Sequence, residues 1–272
     1  MILWFSGTGN SRYVAERLAA QLGQPQKEMR PELIKQALHI PSAERDIIWV
    51  CPVYSWGIPP YVRSVIKGIR FERDGNEDCR EMKHHLVLTC GDDCGLAPEM
   101  WRKEISKRGW TGGKVFSVTM PNNYVCMKGF DVDSKEIEGA KLSAAPARID
   151  EISRAFNDSE GKVLTDVVRG RFAWIKTRII YPWFVRHAMS PKPFRFTKEC
   201  ISCGKCAAAC PMRNISMEIE KNVDDGRQRP RKRPRWGDNC AMCLSCYHVC
   251  PRHAVMYGKS TLNKGQYMNP KV

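Results

Sequence analysis

The sequence predicts an α/β fold, a doubly wound parallel sheet, followed by a second, smaller α+β domain. Three observations carry this. Residues 1–157 alternate short apolar runs with amphipathic stretches, the pattern of a parallel sheet covered by helices on both faces. The 272 residues suffice for one domain of ordinary size and one smaller. Eight of the 13 cysteines crowd into Cys200–Cys250, apart from the apolar N-terminal part.

The elements follow in chain order. A strand is expected at Met1–Phe5, then a helix at Ser11–Leu22, where Val14, Leu18 and Leu22 share one face at i, i+4 and i+8. A further strand is expected around Gln26–Arg30. Strands at Asp46–Val53, His85–Thr89 and Lys114–Met120 are rich in Val, Ile, Leu or aromatics, with helices at Pro60–Ile69 and Pro98–Arg108 between them. Asn122–Ala145 reads as a long loop and Ala147–Phe156 as a closing helix, completing the first domain at 157. Residues 158–194 read as a linker whose second half, Arg171–Met189, is aromatic and basic, and Pro182 should kink or end any helix there. That stretch reads either as a bridging segment packed between the domains or as a membrane-surface or partner-docking element. The smaller domain is expected over 195–260, with 261–272 as a tail.

Apolar residues at 43% and charged residues at 27% exclude a disordered chain. Met1-Ile2-Leu3-Trp4-Phe5 carries no basic leader region, and no apolar run approaches the roughly 18–20 residues of a membrane span. A cytoplasmic location is therefore expected, and in that reducing compartment clustered cysteines read as metal ligands rather than disulfides. The formal charge of +15 favours acidic partner proteins, anionic membrane surfaces or nucleic acid and does not by itself choose among them. An acidic redox partner protein is expected, with weak contact at a membrane surface, and nucleic acid is not.

Cys200-x2-Cys203-x2-Cys206-x3-Cys210-Pro211 recurs as Cys240-x2-Cys243-x2-Cys246-x3-Cys250-Pro251. Cysteines at i, i+3 and i+6 wrap one turn around three irons of a cubane, and the fourth, before a proline, ligates the other cluster. One [4Fe-4S] cluster would take Cys200, Cys203, Cys206 and Cys250, and the other Cys240, Cys243, Cys246 and Cys210. Zinc needs only paired C-x2-C knuckles and leaves the third cysteine and the C-x3-C-P unexplained. Residues 197–257 thus resemble a bacterial two-cluster ferredoxin. The connection between the repeats is longer than the compact form needs. It contains Asp225-Gly226, a hairpin turn signal, and a basic run to Arg235. The Arg229–Arg235 run is open to three readings: a solvated loop, a docking patch for an acidic partner, or a nucleic-acid contact.

Ser6-Gly7-Thr8-Gly9-Asn10-Ser11 lies between the first strand and first helix, where backbone N–H groups and small polar side chains can converge on one anion at a helix N-terminus. It is no Walker motif, lacking Gly-Lys-Ser/Thr, and no dinucleotide fingerprint, with Arg12 where Gly belongs. It resembles the FMN phosphate loop of flavodoxins. Pro52-Val53-Tyr54-Ser55-Trp56-Gly57 and Thr89-Cys90-Gly91-Asp92 follow strands and look like the two flavodoxin loops that hold the isoalloxazine. Trp56 or Tyr54 would stack on the ring, and Gly57 would supply backbone freedom. Met120–Tyr124 ends the next strand at the same crevice.

The resemblance implies a flavodoxin-like sheet of strand order 2-1-3-4-5, with FMN and two [4Fe-4S] clusters as cofactors. The order of the segments matches flavodoxin–ferredoxin fusion proteins of anaerobic prokaryotes and implies electron transfer. No catalytic acid–base or nucleophilic group stands out, so an electron carrier is preferred. An FMN- and iron–sulfur-dependent reductase of a quinone or flavin is the alternative.

Overall fold

The computed structural model describes residues 1–41, 44, 46–73, 81–158, 164–220 and 231–272. Its main sheet is parallel throughout and contains β1 (Ile2–Trp4), β2 (Gln26–Glu28), β3 (Asp46–Pro52), β4 (Lys83–Cys90), β5 (Thr111–Thr119) and the short β6 (Thr165–Asp166). The strand order is β2-β1-β3-β4-β5-β6, which is the 2-1-3-4-5 order of a flavodoxin-like fold with one short strand added at the edge. Because both faces are covered, the central strands are apolar almost without interruption: Ile47 through Cys51 are all buried.

The covering helices are α1 (Asn10–Leu22), α2 (Pro60–Gly68), α3 (Ala97–Lys107) and α4 (Lys135–Asn157). Val14 and Leu18 of α1 and Ile149 and Ile152 of α4 share one core with Ile48, Val50, Val87 and Phe116. Val62, Ile66, Trp101 and Ile105 of α2 and α3 share the other with Trp49, Leu86 and Leu88. Alternate residues of β3 and β4 therefore feed opposite layers, as the pleat requires. A small parallel pair, Ala37–Ile40 with Arg70–Arg73, stands outside the main sheet and was not expected.

Helix α4 corrects the sequence reading. The expected loop Asn122–Ala145 ends at Ser134, whose hydroxyl accepts the Ile137 N–H at 3.3 Å and caps the helix. Glu136 and Glu138 complement the helix dipole in the first turn. Leu142, Ala145, Ile149 and Ile152 are buried at helical spacing, and this burial outweighs the cost of Pro146 inside the helix.

Pro182 does not end its helix either. Residues 173–187, here α5, run as one helical segment with a π turn over Lys176–Ile180, in which the Tyr181 N–H bonds to Lys176 O. The widened turn absorbs the missing proline donor and its clash with the preceding turn.

The C-terminal part repeats its backbone at an offset of forty residues. Left-handed φ angles fall at Ser202 (60°), Gly204 (73°) and Arg213 (48°), and again at Met242 (52°), Leu244 (61°) and His253 (49°). Short helices follow at Lys205–Ala208 and Ser245–His248. Phe194–Phe196 pairs with Val255–Tyr257, and Ile215–Ile219 with Lys232–Trp236, both antiparallel. The expected Asp225-Gly226 turn, with Arg229 and Pro230, lies outside the described residues. Within the rest of the basic run Arg233 is buried. Its guanidinium donates to Glu220 at 2.8 Å and to Cys200 O at 2.6 Å and lies over Phe196, so this arginine is neither a solvated nor a docking residue.

The segment read as a tail is packed in place. Tyr267 and Asn269 are buried, and the apolar core of the α2/α3 side runs on without a break into Cys206, Cys246 and Tyr247.

Candidate functional site

A cavity of about 520 Å³ opens at the C-terminal ends of β1, β3 and β4, within the ordinary range for a small-molecule site. All three predicted loops meet there. Ser6, Gly7, Thr8, Asn10 and Ser11 line it from the first, Pro52, Val53, Tyr54, Ser55 and Trp56 from the second, and Thr89, Cys90, Gly91 and Asp92 from the third. Gly9 and Gly57 do not line it and serve the packing behind.

The first loop is built to present small polar groups at the start of α1. Thr8 and Ser11 are each 1% exposed, and no acidic residue occupies the first helical turn, so nothing there opposes an anion. Ser6 Oγ accepts the Gly9 N–H at 3.1 Å, which holds the loop curled, and Ser11 Oγ meets Thr89 Oγ1 at 2.7 Å, which ties the first loop to the third.

In the second loop Tyr54 and Gly57 exchange backbone hydrogen bonds of 2.9 and 3.0 Å across a two-residue turn. Its central residues, Ser55 and Trp56, have φ of 45° and 61°, so the strain falls on them and not on Gly57. Gly57 has a packing use as well. A Cβ at that position would lie 2.4 Å from the Tyr181 ring, so the glycine lets α5 approach. Lys176 of α5 lies over the Trp56 ring at 4.9 Å and pairs with Asp93 at 2.6 Å.

Residues 120–130 and α5 complete the wall, with Asn122, Tyr124, Phe130, Ile180, Trp183 and Phe184 among the lining groups. The buried Tyr124 hydroxyl has no hydrogen-bond partner among the described residues, a polar atom left for a ligand to satisfy. Burial pushes the Cys94 thiol up to about 12 and the Cys90 thiol higher still, so both are neutral thiols beside the cavity and not nucleophiles. Cys51 and Cys126 are buried likewise, and Cys79 lies outside the described residues.

The repeated cysteines form two groups, and each takes its fourth member from the other repeat. Cys200, Cys203, Cys206 and Cys250 line one small cavity. Burial pushes the Cys206 thiol up to about 11, and the charges that reinforce this are those of Cys200, Cys250 and Cys203. Burial likewise raises Cys246, whose sulfur neighbours are Cys243, Cys240 and Cys210. Backbone N–H groups donate to three of the sulfurs: Asn214 to Cys210 at 3.3 Å, Met242 to Cys240 at 3.3 Å and Ala254 to Cys250 at 3.2 Å. Such bonds stabilise thiolates and suit an all-thiolate iron–sulfur cage. Among the described residues no three His, Cys, Asp or Glu side chains converge on a single-ion site; thiolates of a cubane each hold a different iron and stand farther apart.

The two sites abut. Met242, Cys243 and Leu244 form part of the cavity wall, and an added Cβ on Gly7 would lie 2.2 Å from Cys243 O. Burial pushes the Tyr54 phenol well above its ordinary range, with Cys243 and Cys240 adding to the effect. The other cysteine group reaches the surface, with Cys203 and its neighbour Ile201 exposed.

Sequence reasoning missed the contribution of the last residues. Asn269 N–H donates to Thr8 O at 2.8 Å, and Asn10 Oδ1 accepts from the Tyr267 hydroxyl at 2.6 Å and from Asn269 Nδ2 at 3.2 Å. His248 Nε2 meets Asn123 O at 2.8 Å while its Nδ1 accepts the Tyr267 N–H at 3.1 Å. Nothing in a short polar segment signals that it returns to a loop 259 residues away.

Residues 199–257 match the 4Fe-4S dicluster domain family. No functionally curated protein matches the chain. Similar solved structures include the Trp repressor binding protein from Bacillus subtilis, 11% identical over 59% of this chain and 100% of that one, TM-score 0.35. The azoreductase AzrA is 10% identical over 57% and 97%, TM-score 0.36. An azoreductase from Bacillus anthracis is 9% identical over 57% and 98%, TM-score 0.35. The fold assignment rests on the strand order itself.

Proposed function

The chain is a fusion of a flavodoxin-like α/β fold with a 4Fe-4S dicluster domain, and on that premise we propose that it is an electron-transfer protein coupling FMN in the cavity to two [4Fe-4S] clusters. Bound FMN supplies a centre that takes up one or two electrons, and each cluster takes one. The observation that carries the reading is the shared wall, in which the turn bearing Cys243 both lines the cavity and belongs to the second cysteine group.

In this reading the first loop and the start of α1 hold the phosphate, Trp56 and Tyr54 offer the flat surface, and the unpartnered Tyr124 hydroxyl meets a polar edge of the ring. Cys240, Cys243, Cys246 and Cys210 hold the cluster beside the cavity. Cys200, Cys203, Cys206 and Cys250 hold the one nearer the surface, where an acidic redox partner would exchange electrons with it. A cytoplasmic setting suits these reduced thiolates.

Anaerobic reconstitution tests this. The expected product carries about eight iron, eight sulfide and one FMN per chain, and takes up electrons at both kinds of centre. A preparation that fills with iron and sulfide but binds no FMN would remove the coupling.

A second reading, a reductase of a small quinone or flavin, is favoured by one feature. The outer part of the cavity is apolar, with Met127, Phe130, Ile180 and Trp183 at its rim. Steady-state turnover of a quinone faster than free FMN achieves would select it.

A further inference from the structure

Helix α5 is apolar on two opposite faces. Thr177, Tyr181 and Phe184 face inward: Thr177 Oγ1 donates to Trp56 O at 2.7 Å, the Tyr181 hydroxyl donates to Ile58 O at 2.6 Å, and Phe184 meets Tyr124 edge-on at 5.5 Å. These contacts dock the helix on the cavity rim. They leave Phe172, Trp174, Ile175, Ile179 and Trp183 on the outside, 66%, 61%, 45%, 56% and 51% exposed. Residues 175, 179 and 183 recur at four-residue steps, so they form one stripe on a helix already committed elsewhere.

Apolar side chains scattered singly over a surface need no explanation, but these exposed groups, two of them indoles, all fall within residues 172–183. Its surroundings give the chemistry of the occupant. Arg171, Arg178 and Arg186 are exposed around the stripe, and no acidic residue occurs between Asp166 and Glu199. Aromatic and branched aliphatic groups flanked by arginine, on a segment with no carboxylate of its own and with Asp93 already paired to Lys176, complement a surface that is negative outside and apolar just beneath. No described helix is long and apolar enough to cross a membrane, so the fitting arrangement has the helix lying on one.

We propose that α5 docks the protein on an anionic bilayer surface, its outer stripe set into the headgroup–acyl boundary. Ile180 and Trp183 belong both to the exposed part of the helix and to the cavity lining, so docking brings the cavity rim to the lipid. The inference stands whether or not the cavity holds FMN.

Cosedimentation of the purified holoprotein with vesicles tests it. The protein is expected to pellet with phosphatidylserine-rich vesicles, weakly with pure phosphatidylcholine, and less as salt rises. The double variant Trp174→Glu, Ile179→Glu alters only exposed positions and should keep the wild-type circular dichroism and cofactor content. It should bind the anionic vesicles at least about tenfold more weakly, the factor expected from losing one buried large apolar side chain. Wild-type protein that stays in solution with both vesicle types, or a double variant that pellets like wild type, would overturn the proposal. Retention on polyglutamate, lost in the variant, with no vesicle binding would overturn it in favour of an acidic protein partner.

Discussion

At the scale of single residues, the two halves of the molecule meet at positions chosen for what they lack. Gly7 has no side chain, and the Cys243 carbonyl occupies the space one would fill. Substitution of Gly7 by Ala should therefore lower stability by about 1–3 kcal/mol, the usual cost of overpacking, read as a lower urea midpoint. Gly139 is the control: nothing lies within 4 Å of its added Cβ and it sits inside α4, so Gly139→Ala should be neutral or stabilising by up to about 1 kcal/mol. Equal midpoints for Gly7→Ala and wild type would mean that the close approach is not maintained in solution. Ser55 and Trp56 make the complementary point, since their left-handed conformations are held by the paired hydrogen bonds of Tyr54 and Gly57 around them.

At the scale of elements, the duplicated cysteine turns cannot be assembled one at a time. Each sulfur group needs one cysteine from the other repeat, so the repeats lock each other in register. The crossing makes an asymmetric prediction. Cys210→Ser removes a ligand from the group containing Cys240, not from the repeat in which it lies. After reconstitution this variant should hold about four iron instead of about eight. Adding Cys243→Ser should change little, whereas adding Cys203→Ser should remove the remainder. Iron quantification that reverses these two outcomes would refute the crossed arrangement. Helix α4 shows the opposite balance, where the burial of four apolar side chains at helical spacing prevails over an internal proline.

At the scale of the whole molecule, residues 261–272 act as a strap from the dicluster part back to the first loop. The Tyr267 hydroxyl and the Asn269 amide both reach Asn10, and Asn269 N–H reaches Thr8. Tyr267→Phe removes one hydrogen bond of a buried pair and leaves the ring in place. Its cost of about 1 kcal/mol should appear as roughly fivefold weaker FMN binding, with iron content unchanged, in a fluorescence titration. Unchanged affinity would show that the strap holds the domains together without shaping the loop.

Motifs confined to a few consecutive residues are legible in the amino-acid sequence alone. Helical and strand periodicity locates β1 and β3–β5 with α1–α3, and the spacing of the cysteine runs assigns their ligand groups, because local sterics and short-range geometry act within one turn or strand. The long α4, the continuous α5 through Pro182, the burial of Arg233 and the strap are decided only by tertiary structure. Each depends on apolar area or charge removed from water by partners distant in sequence, and those energies exceed the local preferences that spacing and composition report.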